Sequence, residues 1–309
     1  DIIVQYYTNS THYVVSLSQL SRCCGKLGDR NGEIQYLREY LKHETIKLRR
    51  LQAQFKLAQM LQNDGQAILT NAGTNSTPES VEAEEKRGTA QIIRATKEFM
   101  LFAKEASATL EDPATPKDDI DSYKKLHQAA LFMIGECWSR MNRPEKNLEM
   151  YRKRAAVSYE AYLKEYPEGE YAKIGYVKLG MIYTALNDLE KSKDALDRLS
   201  TKFPDSDEAK NAKPRLAKSL IEIGMRKEGT EIYAEMLRTD GAYTARQFLN
   251  AGDALIDARS WDLANQAFEK CILLAGTNSP TTVARAHLGK ARAAWKQGSL
   301  AEARESLDQ

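Results

Sequence analysis

Apolar residues recur at helical spacing along almost the whole chain and predict an all-α protein. In the second half, Tyr176, Leu179 and Tyr183 stand three and four residues apart, which places their side chains on one face of a helix. Similar faces follow one another downstream, separated by short polar segments with turn residues. The pattern indicates consecutive amphipathic helices joined by short loops.

The first half predicts fewer and longer helices. Residues 12–62 are predicted to form two helices, the second running from about Glu33 to Gln62 without a break. Residues 63–78 are rich in Asn, Gly, Thr and Ser and are predicted to be a loop. Thr77 is then expected to cap a long helix that begins at Pro78 and runs to about Leu110.

Small residues recur at nearly constant intervals in the second half. Gly180, Ala217, Gly252 and Gly289 are separated by 37, 35 and 37 residues. A small side chain lets two helices approach closely, so each position predicts a helix pair in contact. Gly135, which lies 45 residues before Gly180, indicates a further and less regular unit.

The best-defined unit resembles a tetratricopeptide repeat, a helix–turn–helix unit of about 34 residues. The resemblance rests on Tyr176-x2-Leu179-Gly180-x2-Tyr183, followed by Ser192, Leu196 and Pro204. It implies an all-α, right-handed helical-repeat solenoid of about five units over residues 126–309. Residues 1–125 are expected to form an N-terminal long-helix region of degenerate repeats or helical hairpins.

Two helix junctions carry a second resemblance. Glu165-Tyr166-Pro167 and Lys202-Phe203-Pro204, each followed by an alanine, are similar to the junctions of bacterial tetratricopeptide proteins related to the outer-membrane assembly lipoprotein BamD and the Tol-Pal-associated protein YbgF. This resemblance covers roughly residues 127–309. It implies a scaffold of the periplasm or cell envelope without catalytic activity.

Composition and motifs narrow the function classes. The chain is 42% hydrophobic and 28% charged, with a net charge of +2, which favours neither nucleic acid nor an acidic membrane as partner. No apolar run reaches the length of a membrane span. Nucleotide-binding and catalytic motifs are missing, and the four histidines lie far apart. We therefore expect no enzyme activity, no cofactor and no metal site.

The tyrosines leave two interpretations open. Tyr151, Tyr176 and Tyr183 occupy positions of the repeat core and are predicted to pack between helices. A further group fits either packing or a contact surface, since tyrosine offers a large rigid face with a polar tip: Tyr159, Tyr162, Tyr166 and Tyr171.

The tetratricopeptide resemblance also implies where a partner would bind. In such arrays the concave face is lined by residues of the first helix of each unit that packing does not use. Projecting the repeat register gives twelve candidates for contact with a protein or peptide: Phe132, Glu136, Arg140, Val177, Met181, Thr184, Lys218, Ile221, Leu249, Asp253, Ile256 and Lys290.

Two alternatives to a free-standing scaffold remain. The abrupt ends of the sequence suggest a piece of a longer protein, so the array could be the substrate-recruiting or regulatory arm of a larger enzyme. The last repeat carries no capping helix, so it could instead stack on another copy and form a self-assembling element.

Overall fold

The computed structural model describes residues 11–72, 77–239, 241 and 243–308. Over these residues the chain forms fifteen α-helices and no strand, and within each unit helices that follow one another in the chain pack together as hairpins. The predicted all-α helical-repeat solenoid class is therefore confirmed. The chain divides into two compact units, Asp1–Ala172 and Lys173–Gln309.

The first unit contains six helices, with a short 3-10 turn before the last. They are α1 (Thr11–Lys26), α2 (Arg30–His43), α3 (Lys47–Asn71), α4 (Pro78–Glu111), α5 (Lys117–Arg140) and α6 (Leu148–Glu165). Its interior is apolar and aromatic, with Phe99, Phe102 and Tyr159 fully buried.

The predicted single helix over residues 33–62 is wrong, because the chain turns at residues 44–46. The Glu44 amide ends α2 by donating to the Tyr40 carbonyl oxygen, and the Glu44 carboxylate accepts from the Ile46 amide at 2.9 Å and from the Tyr40 hydroxyl. A side chain that satisfies the free amides of a turn competes with continued helix. Apolar spacing alone does not reveal such a turn.

The predicted loop over residues 63–78 is also wrong for most of its length, since α3 continues to Asn71. Leu69 is 2% exposed, and a Cβ placed on Gly65 would lie 2.8 Å from the Gly88 carbonyl oxygen of α4. Gly65 therefore belongs to a close crossing of α3 and α4, and not to a loop. The predicted start of α4 is confirmed, because the Thr77 side chain accepts from the Ser80 amide.

The second unit contains four consecutive helix pairs. Its helices are α7 (Ala172–Ala185, which begins at the last residue of the first unit), α8 (Leu189–Lys202), α9 (Asp207–Lys210), α10 (Ala212–Glu222), α11 (Arg226–Arg238), α12 (Ala245–Asp257), α13 (Trp261–Ala275), α14 (Pro280–Gln297) and α15 (Leu300–Asp308). Short α9 and α10 together form the first helix of the second pair.

Small residues set the close approach within these pairs. The Ser192 hydroxyl of α8 donates to the Gly180 carbonyl oxygen of α7 at 2.8 Å. In the third pair, a Cβ on Gly252 would lie 2.5 Å from the Phe268 ring of α13, closer than such contacts allow. Phe268 is fully buried, and its ring also lies against Gly289 of α14. The repeated glycine positions are therefore sites of helix contact.

The junctions after α6 and α8 have matching geometry. Tyr166 and Phe203 end their helices with similar backbone angles, and their amides donate to the carbonyl oxygens four residues earlier at 2.8 and 2.9 Å. Their own carbonyl oxygens then accept from Gly169 and Ser206. The two sequence motifs thus encode the same turn.

The predicted division after residue 125 falls within the first compact unit. Residues 125 and 126 lie inside α5, whose buried Tyr123 and His127 belong to one continuous helix. The units instead separate between Ala172 and Lys173. The assignment of residues 126–309 to an array of about five repeat units, with residues 1–125 as a separate long-helix region, stays a prediction.

Candidate functional site

Most of the twelve predicted contact residues are buried. Seven of them are less than 9% exposed: Phe132, Glu136, Val177, Thr184, Ile221, Leu249 and Ile256. A side chain with so little accessible surface cannot line an open binding face. The expectation that these seven are free to touch a partner is therefore corrected, because packing within the chain uses them.

Contacts of individual residues explain the burial. The Phe132 ring stacks on Tyr171, with ring centroids 4.9 Å apart, and also lies against Tyr159 and Tyr162. The Thr184 hydroxyl contacts the Ser192 hydroxyl at 2.7 Å inside the first helix pair of the second unit. Leu249 and Ile256 join the core around Phe268. These positions face neighbouring helices and not solvent.

Buried Glu136 belongs to a polar network. Its carboxylate accepts from the Tyr159 hydroxyl at 2.5 Å and pairs with the Arg140 guanidinium at 3.0 Å. Burial and the adjacent Glu136 carboxylate raise the pKa of Tyr159, so its hydroxyl stays a hydrogen-bond donor at neutral pH. The network fixes α5 against α6, which is a structural role.

The other five predicted residues reach the surface. Met181 is 49% exposed, and Arg140 has an exposed side chain beside Glu136. Asp253 pairs with Arg292 at 2.5 Å, and Lys290 pairs with Glu269 at 3.0 Å. Lys218 is exposed and lies 3.7 Å from Glu222. Of these five residues, Lys218 lines a cleft in the second unit.

That cleft, here called the basic cleft, lies in the second unit between α9–α10 and α12. Its volume is about 510 Å³. Four cationic side chains and one carboxylate line it: Lys210, Arg215, Lys218, Arg246 and Asp207. Within the part of the chain that the structure describes, no carboxylate is paired with Lys210, Arg215 or Arg246. The cleft therefore presents unneutralised positive charge.

Helix caps place the two sides of the basic cleft. Ser206 caps α9, its hydroxyl accepting from the Ala209 amide at 3.1 Å. Thr244 and Gln247 form a capping box at the start of α12. The Gln247 side-chain amide also donates to the Lys210 carbonyl oxygen at 3.2 Å and to Asn211 at 3.0 Å. These bonds hold the junction between α9 and α10 beside the first turn of α12.

Amide and hydroxyl groups complete the cleft wall. Exposed Asn250 lies one turn after Arg246 and lines the cleft. The Tyr233 hydroxyl donates to the Pro214 carbonyl oxygen at 3.1 Å, and burial raises the pKa of Tyr233. An asparagine amide can donate and accept together, as a peptide backbone requires. The cleft therefore combines cationic side chains with an amide that can both donate and accept hydrogen bonds.

Of the residues lining this cleft, only Lys218 was predicted from the sequence as a contact candidate. Lys210 and Arg215 stand close to it in the chain, but acidic neighbours such as Glu222 dilute the positive charge of this segment. Arg246 and Asn250 were missed because they come from the next helix pair. The repeat interval of 35 residues between Ala217 and Gly252 is the signal that relates them.

The tyrosines of the first unit belong to packing. Tyr151, Tyr159 and Tyr162 are at most 2% exposed, and Tyr166 and Tyr171 are half-buried. The predicted core role is confirmed for Tyr151, and Tyr176 and Tyr183 are buried as well. Packing therefore accounts for Tyr159 and Tyr162, whereas Tyr166 and Tyr171 keep part of their surface exposed.

The described residues offer neither a metal site nor a membrane-spanning helix. They contain no group of three or more His, Cys, Asp or Glu side chains placed to hold a metal ion. None of their helices combines the length and apolarity that crossing a membrane requires. The four cysteines are unpaired: Cys23 is exposed, Cys24 is intermediate, and Cys137 and Cys271 are buried.

Comparison with known proteins finds one family match. Residues 175–206, which lie on α7, α8 and the turn after them, match the model for the tetratricopeptide repeat. A search of curated proteins finds no match.

Three solved structures are similar at low identity. A tetratricopeptide repeat protein from Parabacteroides merdae ATCC 43184 is 13% identical, with 88% of this chain and 98% of that chain covered and a TM-score of 0.30. The TPR domain of P58(IPK) is 14% identical (99% and 84% covered, TM-score 0.24). Yeast Tom70 is 13% identical (99% and 86% covered, TM-score 0.22). TM-scores of this size do not establish a shared overall arrangement.

The family match and the local geometry agree. The matched segment is a helix–turn–helix pair in which Gly180 and Ser192 make the close contact. The tetratricopeptide interpretation is therefore supported, whereas the narrower likeness to BamD and YbgF is not confirmed. Over residues 175–206 this chain is similar to a tetratricopeptide repeat.

Proposed function

We propose that this protein is a non-enzymatic interaction scaffold that binds an acidic, extended segment of a partner protein in the basic cleft. The tetratricopeptide match over residues 175–206 supports a role in protein interaction. The single observation that carries the proposal is the convergence of Lys210, Arg215, Lys218 and Arg246 on one cleft.

The positive charge of the cleft lining favours an acidic ligand. The cleft lining carries four positive side chains against Asp207 alone, and the nearest neutralising contact is the exposed Lys218–Glu222 pair at 3.7 Å. An exposed pair at that distance contributes little, so Lys218 is available to a ligand. Carboxylates of a partner would then form charge-assisted hydrogen bonds with the two arginines.

Shape and polarity indicate a polypeptide. The cleft volume of about 510 Å³ is within the range of ordinary ligand sites. Asn250 stands one helical turn from Arg246, so it can bond a main-chain amide while the arginine holds a side chain. This pairing of main-chain and side-chain recognition is typical of peptide grooves.

The test is a titration of the chain with a fluorescent Asp- and Glu-rich peptide. We expect binding that weakens with added salt, and a loss of affinity of about tenfold for Arg246→Glu or Arg215→Glu. Lys227→Glu, an equal charge change at an exposed site on α11, is the control and should bind normally. Absence of binding, or equal binding by all three variants, would overturn the proposal.

A second arm of the same experiment uses single-stranded nucleic acid of similar charge. Tighter binding of the nucleic acid than of the peptide would also contradict the proposal, since phosphate charge alone would then account for the cleft. Preference for the peptide supports it, because Asn250 and the capped helix ends offer main-chain contacts.

We further propose that this protein belongs to a bacterial envelope complex. The junctions at Tyr166-Pro167 and Phe203-Pro204 support a scaffold of the bacterial envelope, because the shared turn is the structural form of the motif that carries the resemblance. Fractionation of cells producing the full-length protein tests this location. The remaining candidates that reach the surface, Arg140, Met181, Asp253 and Lys290, are proposed as secondary contacts. The alternatives are a substrate-recruiting or regulatory arm of a larger enzyme and a self-assembling structural element.

A further inference from the structure

A long stripe of α4 in the first unit is only partly covered and lines an open hollow. It includes Val81, Glu85, Thr89 and Ile93, which stand at intervals of four residues and so share one face. The opposite wall is the segment Pro144–Asn147 and the start of α6. Together these walls form an open groove, here called the α4–α6 groove.

The groove is large and elongated. It consists of two hollows of about 770 and 640 Å³, and Lys146 lines both of them. From Pro78 to Met100, the limits of its α4 wall, a helix rises by about 33 Å, or about six turns. Two hollows that share Lys146 along such a length suit a helical segment, and together they exceed what a small metabolite fills.

Large apolar side chains lie exposed at one end. Met100 is 48% exposed, Met150 is 40% exposed and Val157 is 65% exposed, and all three line the same hollow. Unbranched methionines adapt to different partner shapes. Trp138 lies beneath them, nearly buried, with the Arg154 guanidinium 4.6 Å above its ring. This end is therefore an apolar floor with an aromatic base.

The charge around the apolar floor is positive. Lys146, Lys153 and Arg154 line this hollow, and Glu149 is its one acidic residue. Glu149 lies 2.6 Å from Lys153, so that carboxylate is already engaged. No carboxylate in the described part of the chain is paired with Lys146 or Arg154.

The far hollow of the groove has a balanced charge. Glu82 and Glu85 line it together with Lys86 and Lys146, and Glu85 pairs with Arg143 at 3.0 Å. The groove therefore has a direction: a charge-balanced end near Pro78 and a basic, apolar end near Met150. A ligand whose acidic residues lie toward one end is favoured in a single orientation.

We propose that the α4–α6 groove binds an amphipathic helix of a partner protein whose apolar face carries acidic residues on its flank. The apolar face covers Met100, Met150 and Val157, and the acidic flank pairs with Lys146 and Arg154. Helix-in-groove binding uses this combination of apolar anchors at intervals of three and four residues and flanking charge. The site lies in the first unit and does not depend on the basic cleft.

The test uses two designed helical peptides with the same apolar face, one flanked by Glu and the other by Lys. Fluorescence anisotropy measures their binding to the whole chain. We expect the Glu-flanked peptide to bind at least about tenfold more tightly than the Lys-flanked one. Hydrogen exchange of the complex should show protection over residues 78–100 and 146–158.

Variants locate the binding. Arg154→Glu and Val157→Asp should each weaken the Glu-flanked peptide by about tenfold. Lys164→Glu changes an exposed residue of the same helix outside the groove and should leave affinity unchanged. Both groove positions are exposed, so circular dichroism should confirm that the variants fold. Equal loss in all three variants, or no binding of either peptide, would overturn the proposal.

Two further outcomes would also overturn it. Sedimentation of the chain alone tests whether a second copy covers the groove, which a concentration-dependent dimer abolished by Val157→Asp would indicate. Binding to phosphatidylserine vesicles in preference to the peptide would instead assign the apolar floor to a membrane surface. Failure of the basic cleft to bind acidic peptide affects none of these results, because Arg246→Glu leaves the α4–α6 groove intact.

Discussion

The Ser192 hydroxyl donates to the carbonyl oxygen of Gly180 at 2.8 Å, across the contact between α8 and α7. Thr184 donates to the same oxygen at 2.9 Å, and Ser192 has no accessible surface. The helix pair with the family match is thus held by a small side chain and a buried hydrogen bond at the point of closest approach.

We expect Ser192→Ala to lower the free energy of unfolding by about 1 kcal/mol, because one buried hydrogen bond is lost. Ser192→Leu should cost more, about 1–3 kcal/mol, since the added carbons collide with α7. Urea denaturation followed by circular dichroism measures both. Thr201→Ala removes a comparable but exposed hydroxyl bond to Asp197 and should change stability little.

Substitution of Phe268 in the third helix pair should reduce stability more than substitution of Ser192. Its ring is fully buried and lies against both Gly252 and Gly289. Phe268→Ala should reduce the free energy of unfolding by about 3–5 kcal/mol through the cavity it leaves. Leu273→Ala on the same helix is the matched control, since Leu273 is 81% exposed. Similar losses from the two variants would contradict the packing described.

Glu33 should make stability depend on acid pH. Burial tends to raise the pKa of its carboxyl, but the hydrogen bond and charge of Lys56, together with Arg30, lower it overall. A lowered folded-state pKa stabilises the fold above the unfolded value of about 4.3, and that stabilisation is lost as pH falls further. The Glu33–Lys56 distance is 2.8 Å.

Denaturation of Glu33→Gln at several pH values checks this. The variant should be less stable than the parent chain by about 1–3 kcal/mol near pH 7, and the gap should narrow below about pH 4.3. Exposed Glu111→Gln should show no such narrowing gap. A difference that stays constant with pH would mean that the Glu33 charge does not contribute.

His127 should act in a separate pH range. Burial lowers the pKa of its imidazole, although the Glu165 carboxylate at 3.3 Å acts in the opposite sense. The unfolded chain then binds a proton more readily than the folded one, so stability falls as pH drops below about 6.5. Tyr166 contacts the imidazole Nδ1 at 2.7 Å.

We expect His127→Phe to remove this loss of stability between about pH 6.5 and pH 5. Thermal denaturation at closely spaced pH values measures it. His12→Gln, at an exposed position, should retain the parent dependence. Persistence of the same pH step in His127→Phe would assign it to another group.

The repeat register in the second half was predictable because packing imposes it on the sequence. Gly180 and Gly252 are small because another helix lies against them, and this requirement recurs in each pair. The turn at Glu44 was not predictable from apolar spacing, since it depends on a side chain bonding its own backbone. The length of α3 was missed because a glycine among polar residues is typical of a loop. In the structure Gly65 lies inside the helix, where it lets α4 approach closely.

The candidate site was less predictable than the fold. A register gives the face of a helix, but not whether a neighbour covers that face, so Leu249 and Ile256 were misplaced on an open surface. Arg246 was missed because it meets Lys218 only after two helix pairs stack. The α4–α6 groove was not predictable because α4 has apolar residues on more than one side. The sequence does not show which of these sides stays partly exposed.

The distribution of the cysteines makes the chain easy to mark with a reporter. Cys137 and Cys271 are buried, and burial and the Asp29 carboxylate raise the pKa of Cys24, so its thiolate is scarce at neutral pH. A maleimide fluorophore should therefore attach to exposed Cys23 on α1, which lines neither proposed binding site. The unmutated protein can thus carry a dye for single-molecule tracking while both sites remain open.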